Sequence, residues 1–153
     1  MDELERDLMM MEEENIVYVV GLGPGDTYYM TQEASNVLVY VDAICGYQLY
    51  LDLIEPYFPC EEYYATGMTR EIDRCRWALE KAQSGKKVAM VCSGDAGVYG
   101  MASPLLELAE EYPDVAVEIV PGLTAALSGG AVLGAPLAHD FCVISLSDRL
   151  TPW

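Results

Sequence analysis

The sequence predicts an α/β fold with a mainly parallel five-stranded sheet flanked by helices. Short apolar runs rich in β-branched residues alternate with longer helical patterns, which is typical of βαβ units. The runs are apolar almost throughout, as expected for strands that are covered on both faces. At 153 residues, the chain is long enough to bury a substantial core as one domain.

The first predicted strand, residues 16–22, is the clearest of these apolar runs. A helix is expected to begin at Thr31, whose hydroxyl can accept a hydrogen bond from the first turn, and to continue to about Tyr40. Three shorter elements follow. They are a strand at Ala43–Gly46, a helix at Tyr47–Phe58 that ends at two prolines, and a brief strand at Glu62–Ala65.

The second half of the chain begins with a helix that Thr69 is expected to cap and Gly85 to end. Its apolar residues recur at intervals of three and four, and we interpret its other face, with Arg70, Arg74 and Arg76, as solvated. The remaining predicted elements are a strand at Lys87–Cys92, a helix from about Met101 to Glu111, a strand at Val115–Val120, a helix at Leu123–Leu133 and the beginning of a further strand at Phe141–Ser145.

The chain has five cysteines and a single histidine, His139. The cysteines form no CxxC pair, and His139 does not stand near them at a metal-ligand spacing. This pattern predicts no metal site and disfavours a metal-dependent or triad hydrolase. We interpret the cysteines as buried thiols of a protein in a reducing compartment.

The formal net charge of −17 disfavours nucleic acids and anionic membrane surfaces as partners, because their phosphates would be repelled. Part of this charge lies in an acidic leader, residues 1–15, which we expect to be disordered. The leader lacks the positive start and apolar stretch of a secretion signal, and no later segment is apolar enough to span a membrane. We therefore expect a soluble, cytoplasmic protein.

Three glycine-rich loops follow three of the predicted strands: Gly23–Asp26, Ser93–Gly97 and Pro121–Ala125. In open parallel sheets, ligands bind beyond the carboxyl ends of the strands, because helix starts and free backbone groups meet there. Each loop alone could equally be a tight turn without a ligand. Three such loops on one edge predict a cofactor site.

The motif GLGPGD does not fit the dinucleotide fingerprint GxGxxG. Asp26 stands where the third glycine would be required, and Pro24 removes an amide that could bind a pyrophosphate. The sequence also contains no GxxxxGK[ST] loop for nucleotide triphosphates. An uncharged or cationic cofactor therefore suits this edge better than a phosphate.

The three motifs GLGPGD, SGDAGVYG and VPGLTAA together resemble those of the tetrapyrrole (corrin/porphyrin) methylases. The resemblance extends from Ile16 to Trp153 and implies that residues 16–153 form the N-terminal domain of such an enzyme. Within the family, the segments ATGMTREIDR and ISLSDRLTPW are most similar to the branch that methylates carbon 17 of precorrin-3B or cobalt-factor III.

This resemblance implies a bound S-adenosylmethionine, held largely by main-chain groups in a cleft between two domains. The implied cofactor-binding residues are Pro24, Ser93, Gly94, Asp95, Val98, Thr124 and Ala125. Some relatives have an aspartate as a candidate base just after the second strand. This chain has Tyr47 near that position, so the resemblance implies only a substrate contact at Tyr47 and leaves the catalytic residue unassigned.

The implied reaction is methyl transfer to carbon 17 with contraction of the macrocycle, in cobalamin biosynthesis. The substrate is a tetrapyrrole with many carboxylates, which Arg70, Arg74 or Arg76 could contact if they were not simply solvated. Relatives are typically homodimers. They also have a second domain, which we expect to be absent from this chain, and we therefore expect little turnover from the chain alone.

Three alternatives remain open. The first is another member of the same family, acting at a different corrin position or as a diphthine synthase or RNA ribose methylase. The second is a nucleotide-dependent dehydrogenase, which Pro24 and Asp26 disfavour. The third is a non-catalytic fragment that only binds the cofactor.

Overall fold

The computed structural model describes residues 15–146. The predicted acidic leader, apart from Asn15, and residues 147–153 lie outside this range. The strands are β1 (Ile16–Gly21), β2 (Ala43–Tyr47), β3 (Glu62–Thr66), β4 (Lys87–Cys92) and β5 (Ala116–Val120). The helices are α1 (Gln32–Tyr40), α2 (Gln48–Ile54), α3 (Glu71–Gln83), α4 (Ala102–Ala109) and α5 (Ala125–Val132), with a short 3-10 helix at Thr27–Tyr29.

The five strands form one parallel sheet in the order β3-β2-β4-β1-β5. The interior position of β1, between β4 and β5, agrees with its composition, since all six of its residues are buried and it pairs on both edges. Ile16 pairs with Lys87 of β4 on one side and with Ala116 of β5 on the other. The predicted α/β class and five-stranded parallel sheet are confirmed.

Helices cover both faces of the sheet, and alternate residues of β1 supply the two cores. Val17 and Val19 pack in the core that contains the apolar residues of α3 and α4. Ile16, Tyr18 and Val20 pack in the opposite core, beneath α1 and α2. The continuous apolar sequence of β1 therefore reflects burial on two sides, as the period-2 geometry of a strand requires.

The predicted cap of α1 is confirmed. Thr31 Oγ1 accepts a hydrogen bond from Ala34 N at 3.1 Å, and the same hydroxyl donates to the carbonyl of Pro121 at 3.3 Å. The start of α1 is therefore linked to the end of β5.

The predicted cap of α3 is wrong. Thr69 has a positive φ of 66°, and the residue at the N-cap position is Arg70. The amide of Thr69 instead donates to Glu71 Oε1 at 3.3 Å, so the acidic residue of the first turn satisfies this amide. The hydroxyl of Thr69 is used locally, donating to the carbonyl of Met68.

The predicted further strand at Phe141–Ser145 is also wrong, because this segment pairs with none of the five described strands and is largely exposed. Cys142 lies in it and is exposed, whereas Cys45, Cys75 and Cys92 are buried and Cys60 is half-buried. The interpretation of the cysteines as buried thiols therefore holds for three of the five.

Helix α5 buries none of its residues. Leu127, Val132 and Leu133 are exposed, and the segment that follows exposes further apolar side chains such as Phe141 and Ile144. Residues 125–144 thus present an apolar surface on one side of the domain. Within residues 15–146, no helix is long and apolar enough to cross a membrane.

Candidate functional site

The three glycine-rich loops meet because the strands that precede them are neighbours. Strands β4, β1 and β5 are consecutive in the sheet and parallel, so their carboxyl ends lie side by side. A single antiparallel bridge joins the first two loops beyond the strand ends. In it, Gly23 N donates to the carbonyl of Gly94 at 3.0 Å, and Gly94 N donates to the carbonyl of Gly23 at 2.9 Å.

Glycines at positions 21 and 122 allow these backbones to touch. A Cβ on Gly122 would lie 2.1 Å from the carbonyl oxygen of Gly94 and 2.6 Å from that of Gly21. A Cβ on Gly21 would lie 2.6 Å from the same Gly94 oxygen. No side chain fits at such distances, so the packing of the three loops requires glycine at positions 21 and 122.

The carboxylate of Asp95 fastens the second loop to the third. Its Oδ2 accepts a hydrogen bond from Gly122 N at 3.0 Å, and its Oδ1 accepts one from Gly97 N at 2.8 Å. Hydrogen bonds to a charged acceptor are stronger than neutral ones, so this contact is a main link between the loops. The sequence predicted Asp95 as a cofactor-binding residue but did not reveal that its carboxylate accepts two hydrogen bonds from main-chain amides.

Four of the predicted cofactor residues converge at this junction. A Cβ on Gly94 would lie 3.7 Å from Thr124 Cα and 3.8 Å from Ala125 N, and Asp95 is the next residue. Thr124 is the N-cap of α5, and its carbonyl accepts from the amides of Leu127 and Ser128. The start of a helix and the turn after β4 therefore face each other across Gly94.

The other predicted cofactor residues, Pro24, Ser93 and Val98, are exposed around this junction. Pro24 follows the bridged Gly23, Ser93 precedes Gly94, and Val98 lies further along the second loop, where its amide donates to the carbonyl of Asp95 at 3.3 Å. Their exposed positions leave them accessible to a ligand on the loop edge.

Tyr47 and Ser93 line one cavity of about 330 Å³ beside the end of β4. Tyr47 is the last residue of β2, and its ring packs edge-on against Tyr50, with the ring centroids 5.4 Å apart. The cavity is lined by Tyr47, Tyr50, Met68, Glu71, Arg74, Val91, Cys92, Ser93, Tyr99, Gly100, Met101 and Pro104. The structure thus places the predicted substrate contact, Tyr47, next to the loop edge.

Arg74 does not lie on a solvated helix face, so this interpretation is wrong. The residue is buried, and its Nη1 donates to Thr66 Oγ1 at 2.8 Å and to the carbonyl of Gly67 at 3.5 Å. Arg70 and Arg76 are exposed, as expected. The alternation of three and four along α3 did not reveal this burial, because Arg74 adjoins the buried Cys75 at the edge of the apolar face.

The buried thiols near the site are poor nucleophiles. Burial raises the pKa of the Cys75 thiol to about 11 and also raises the pKa values of Cys92 and Cys45. These thiols are protonated at neutral pH, whereas the nucleophile would be the thiolate. Among the residues that the structure describes, no group of three or more His, Cys, Asp or Glu side chains could hold a metal ion.

The sequence matches the family of tetrapyrrole (corrin/porphyrin) methylases over residues 16–153. A probable cobalt-factor III C(17)-methyltransferase of Salmonella typhimurium is 48% identical over 136 residues, which cover 88% of this chain and 56% of that protein. A protein with the same description from Methanocaldococcus jannaschii is 47% identical, with 90% of this chain and 54% of that protein covered. The chain therefore spans about half the length of these curated relatives.

Solved structures agree with this assignment. The methyltransferase CobJ superimposes with a TM-score of 0.81 at 42% identity, over 90% of this chain and 59% of that one. A Thermus thermophilus uroporphyrin-III C-methyltransferase complexed with S-adenosyl homocysteine superimposes with a TM-score of 0.64 at 30% identity, over 81% and 53% of the two chains. Sequence, fold and loop motifs agree, and the chain belongs to the tetrapyrrole (corrin/porphyrin) methylases.

Proposed function

We propose that the protein containing this chain transfers a methyl group from S-adenosylmethionine to carbon 17 of a precorrin-3B or cobalt-factor III type tetrapyrrole. The reaction is accompanied by contraction of the macrocycle and belongs to cobalamin biosynthesis. The observation that carries the proposal is the junction of the three glycine-rich loops beyond β4, β1 and β5. Its support from relatives is the description of those from Salmonella, Methanocaldococcus and Sinorhizobium as C(17)-methyltransferases, at 43–48% identity.

The junction fits a cofactor that is bound by main-chain groups and carries no phosphate. Glycine at position 94 leaves open the space that a side chain would fill beside Thr124 and Ala125. The nearest carboxylate, that of Asp95, accepts two internal hydrogen bonds, so it maintains the shape of the loops. S-adenosylmethionine fits such an edge, and it supplies a methyl group on a positively charged sulfur.

In this proposal, Pro24, Ser93, Gly94, Asp95, Val98, Thr124 and Ala125 form one side of the cofactor site. The loops hold the cofactor rigidly because their backbones touch and are joined by the Gly23–Gly94 bridge. Tyr47 faces the substrate from the neighbouring cavity. Since the methyl donor is already reactive, the main task of the protein is to align it with the ring carbon, and alignment alone can lower a barrier by several kcal/mol.

A homodimer in the cytoplasm remains a prediction from the family resemblance.

The direct test is an assay of the full-length protein with cobalt-factor III and methyl-labelled S-adenosylmethionine, analysed by mass spectrometry. The expected product is ring-contracted and carries one labelled methyl group at carbon 17, with S-adenosylhomocysteine released in equal amount. Methylation at another position, or no methylated tetrapyrrole, would contradict the proposed function.

The cofactor site is tested separately by Asp95→Ala in the full-length protein. The change removes the acceptor of two main-chain amides, each hydrogen bond being worth about 1.5–3 kcal/mol to a charged group. We expect the affinity for S-adenosylhomocysteine to fall at least tenfold by isothermal titration calorimetry. The matched control is Asp114→Ala, since Asp114 is exposed in a turn before β5. Wild-type affinity in a folded Asp95→Ala protein would rule out this role.

A further inference from the structure

The guanidinium of Arg74 is buried, and the carboxylate described beside it makes no hydrogen bond to it. Only 7% of its side-chain surface is exposed, and Arg74 is the only buried charged residue within the range 15–146. Its two oxygen acceptors, the hydroxyl of Thr66 and the carbonyl of Gly67, are neutral. The paired carboxylate, that of Glu71, is about half exposed and lies 3.7 Å from Nη2, beyond hydrogen-bond distance.

This environment neutralises the positive charge of Arg74 only in part. A guanidinium has five N–H donors, and the further hydrogen-bond partner described for it besides the two oxygens is Met101 Sδ, a weak acceptor, at 3.7 Å. A buried charge is costly unless it is paired and hydrogen-bonded. An anion that binds directly to Arg74 would therefore gain a desolvated, charge-assisted contact.

The cavity beside Arg74 has the character of a site for a carboxylate on an apolar stem. Hydroxyl-bearing side chains, those of Tyr47, Tyr50, Ser93 and Tyr99, line it together with the apolar side chains of Val91, Met101 and Pro104. Among the described residues that line it, Arg74 is the only cation and Glu71 the only acid. Because Ser93 belongs both to the cavity and to the second glycine-rich loop, a ligand in the cavity lies next to the cofactor edge.

We propose that Arg74 binds a carboxylate side chain of the tetrapyrrole substrate in this cavity. The identity of the substrate rests on the proposed function, whereas the anion site rests on the geometry around Arg74. This local cation offsets the repulsion that a polycarboxylate meets from a chain of net charge −17. Glu71 opposes binding from the rim of the same cavity.

A purely structural role for Arg74 predicts a different outcome. As an internal link, Arg74 would join Thr66 and Gly67, before α3, to Met101, before α4. Loss of either partner of the Arg74–Glu71 pair would then destabilise the same contact, and both changes would raise the KM for the substrate. In an anion site the two changes have opposite effects on substrate affinity. Loss of Arg74 removes the attracting charge and lowers the affinity, whereas loss of Glu71 removes the repelling charge and raises it.

The test uses steady-state kinetics of the full-length protein with cobalt-factor III. For Arg74→Gln we expect the KM for cobalt-factor III to rise about tenfold or more, with kcat within about threefold and an unchanged Kd for S-adenosylhomocysteine. Glu71→Gln should lower that KM by about twofold. Arg74→Lys should recover part of the affinity, and the exposed Arg76→Gln on the same helix should match the wild type. A KM for Arg74→Gln equal to the wild-type value, or a KM raised by Glu71→Gln as well, would overturn the proposal.

A second measurement does not depend on turnover. Titration of the ¹⁵N-labelled full-length protein with sodium propionate at constant ionic strength should give a saturable shift of the Arg74 Nε–Hε resonance, assigned by its loss in Arg74→Gln. The Arg76 resonance should not saturate. If the wild-type protein fails to methylate cobalt-factor III, the proposed function fails, and the propionate titration alone decides the anion site. Absence of a saturable Arg74 shift would overturn it.

Discussion

At the scale of single residues, the site depends on backbone contacts that any side chain would block. Gly21 ends β1 and Gly122 lies in the third loop, and both approach the carbonyl oxygen of Gly94 in the second loop more closely than a Cβ allows. Glycine is usually valued for a positive φ, but Gly21 and Gly122 have none. Glycine is required at these two positions because no room exists for a Cβ. A substitution there therefore tests steric packing and not backbone conformation.

We expect Gly122→Ala to destabilise the domain by several kcal/mol or to prevent folding, because the new methyl group would lie 2.1 Å from the carbonyl oxygen of Gly94. The control is Gly129→Ala, since a Cβ at Gly129 meets nothing within 4 Å and α5 gains a better helix former. That variant should be more stable by up to about 1 kcal/mol. Urea unfolding curves of both variants would show the difference, and equal midpoints would refute the steric argument.

Residues were well predicted where one local interaction decides their role, and poorly where tertiary contacts do. Thr31 was predicted as a cap because a hydroxyl at a helix start needs only the next turn. Thr69 has the same local sequence signal, yet its amide is satisfied by Glu71 and its backbone takes a positive φ. The burial of Arg74 depends on Thr66 and Met101, which lie outside α3, so the pattern of α3 alone could not reveal it.

At the scale of elements, β2, α3 and β4 together enclose three thiols. Cys45, Cys75 and Cys92 lie one on each of these elements, and all three are buried. Burial disfavours the charged thiolate, so the folded protein keeps its protons to a higher pH than the unfolded chain does. The packing of these three elements therefore makes the stability of the folded protein depend on pH.

This linkage predicts that stability falls above pH 9. In the unfolded chain the thiols lose their protons around pH 9, while Cys75 in the folded protein does so only at about pH 11. The stabilising effect is thus complete below pH 9 and is lost progressively as the pH rises towards 11. Urea midpoints measured from pH 8 to 11 should decline less steeply for Cys75→Ala than for the wild type. The exposed Cys142→Ala should leave the slope unchanged, and identical slopes for all three proteins would contradict the assignment.

Strands were predictable from sequence where a short apolar or aromatic run lies between turn residues. The five strands of the sheet were all expected, with bounds that differ by a residue or so. Phe141–Ser145 has the same apolar character, but it finds no partner strand, and its described link to the site is the hydrogen bond from Tyr99 Oη to the carbonyl of Val143 at 2.9 Å. Composition shows that a segment can form a strand but does not show whether an edge is available to it.

At the scale of the whole molecule, the charge of −17 acts against compactness. Like charges repel one another across the folded surface, and salt screens them over a Debye length of about 10 Å at 0.1 M. The described cations are partly engaged with acids, as in the pair of Lys81 Nζ with Glu62 Oε2 at 2.6 Å. Such exposed pairs contribute little, so the net repulsion dominates.

We therefore expect the thermal midpoint to rise when NaCl is increased from about 0.02 to 0.3 M, with most of the rise below about 0.15 M. KCl at equal ionic strength should have the same effect, because screening does not depend on the identity of the cation. A midpoint that stays constant or falls with salt would show that attractive ion pairs outweigh the net charge.

The arrangement of the site could be predicted only in part at this scale. The three loops were expected on one edge, because all strands of a parallel sheet end on the same side. Their contact was not predictable, since it requires β1 to lie between β4 and β5 in the sheet although it is far from both in the chain. The family resemblance predicts the ligand class, and the strand order explains how the motifs come together.

The same strand order has a consequence for synthesis on the ribosome. Strand β1 is made first, but both of its partners, Lys87–Cys92 and Ala116–Val120, are made much later. At roughly 5–20 residues per second, several seconds or more separate β1 from its first partner. During this time the apolar strand β1 has no partner strand, while β2 and β3 can already pair with each other. The nascent chain is thus most vulnerable to aggregation at the segment on which the finished site is centred.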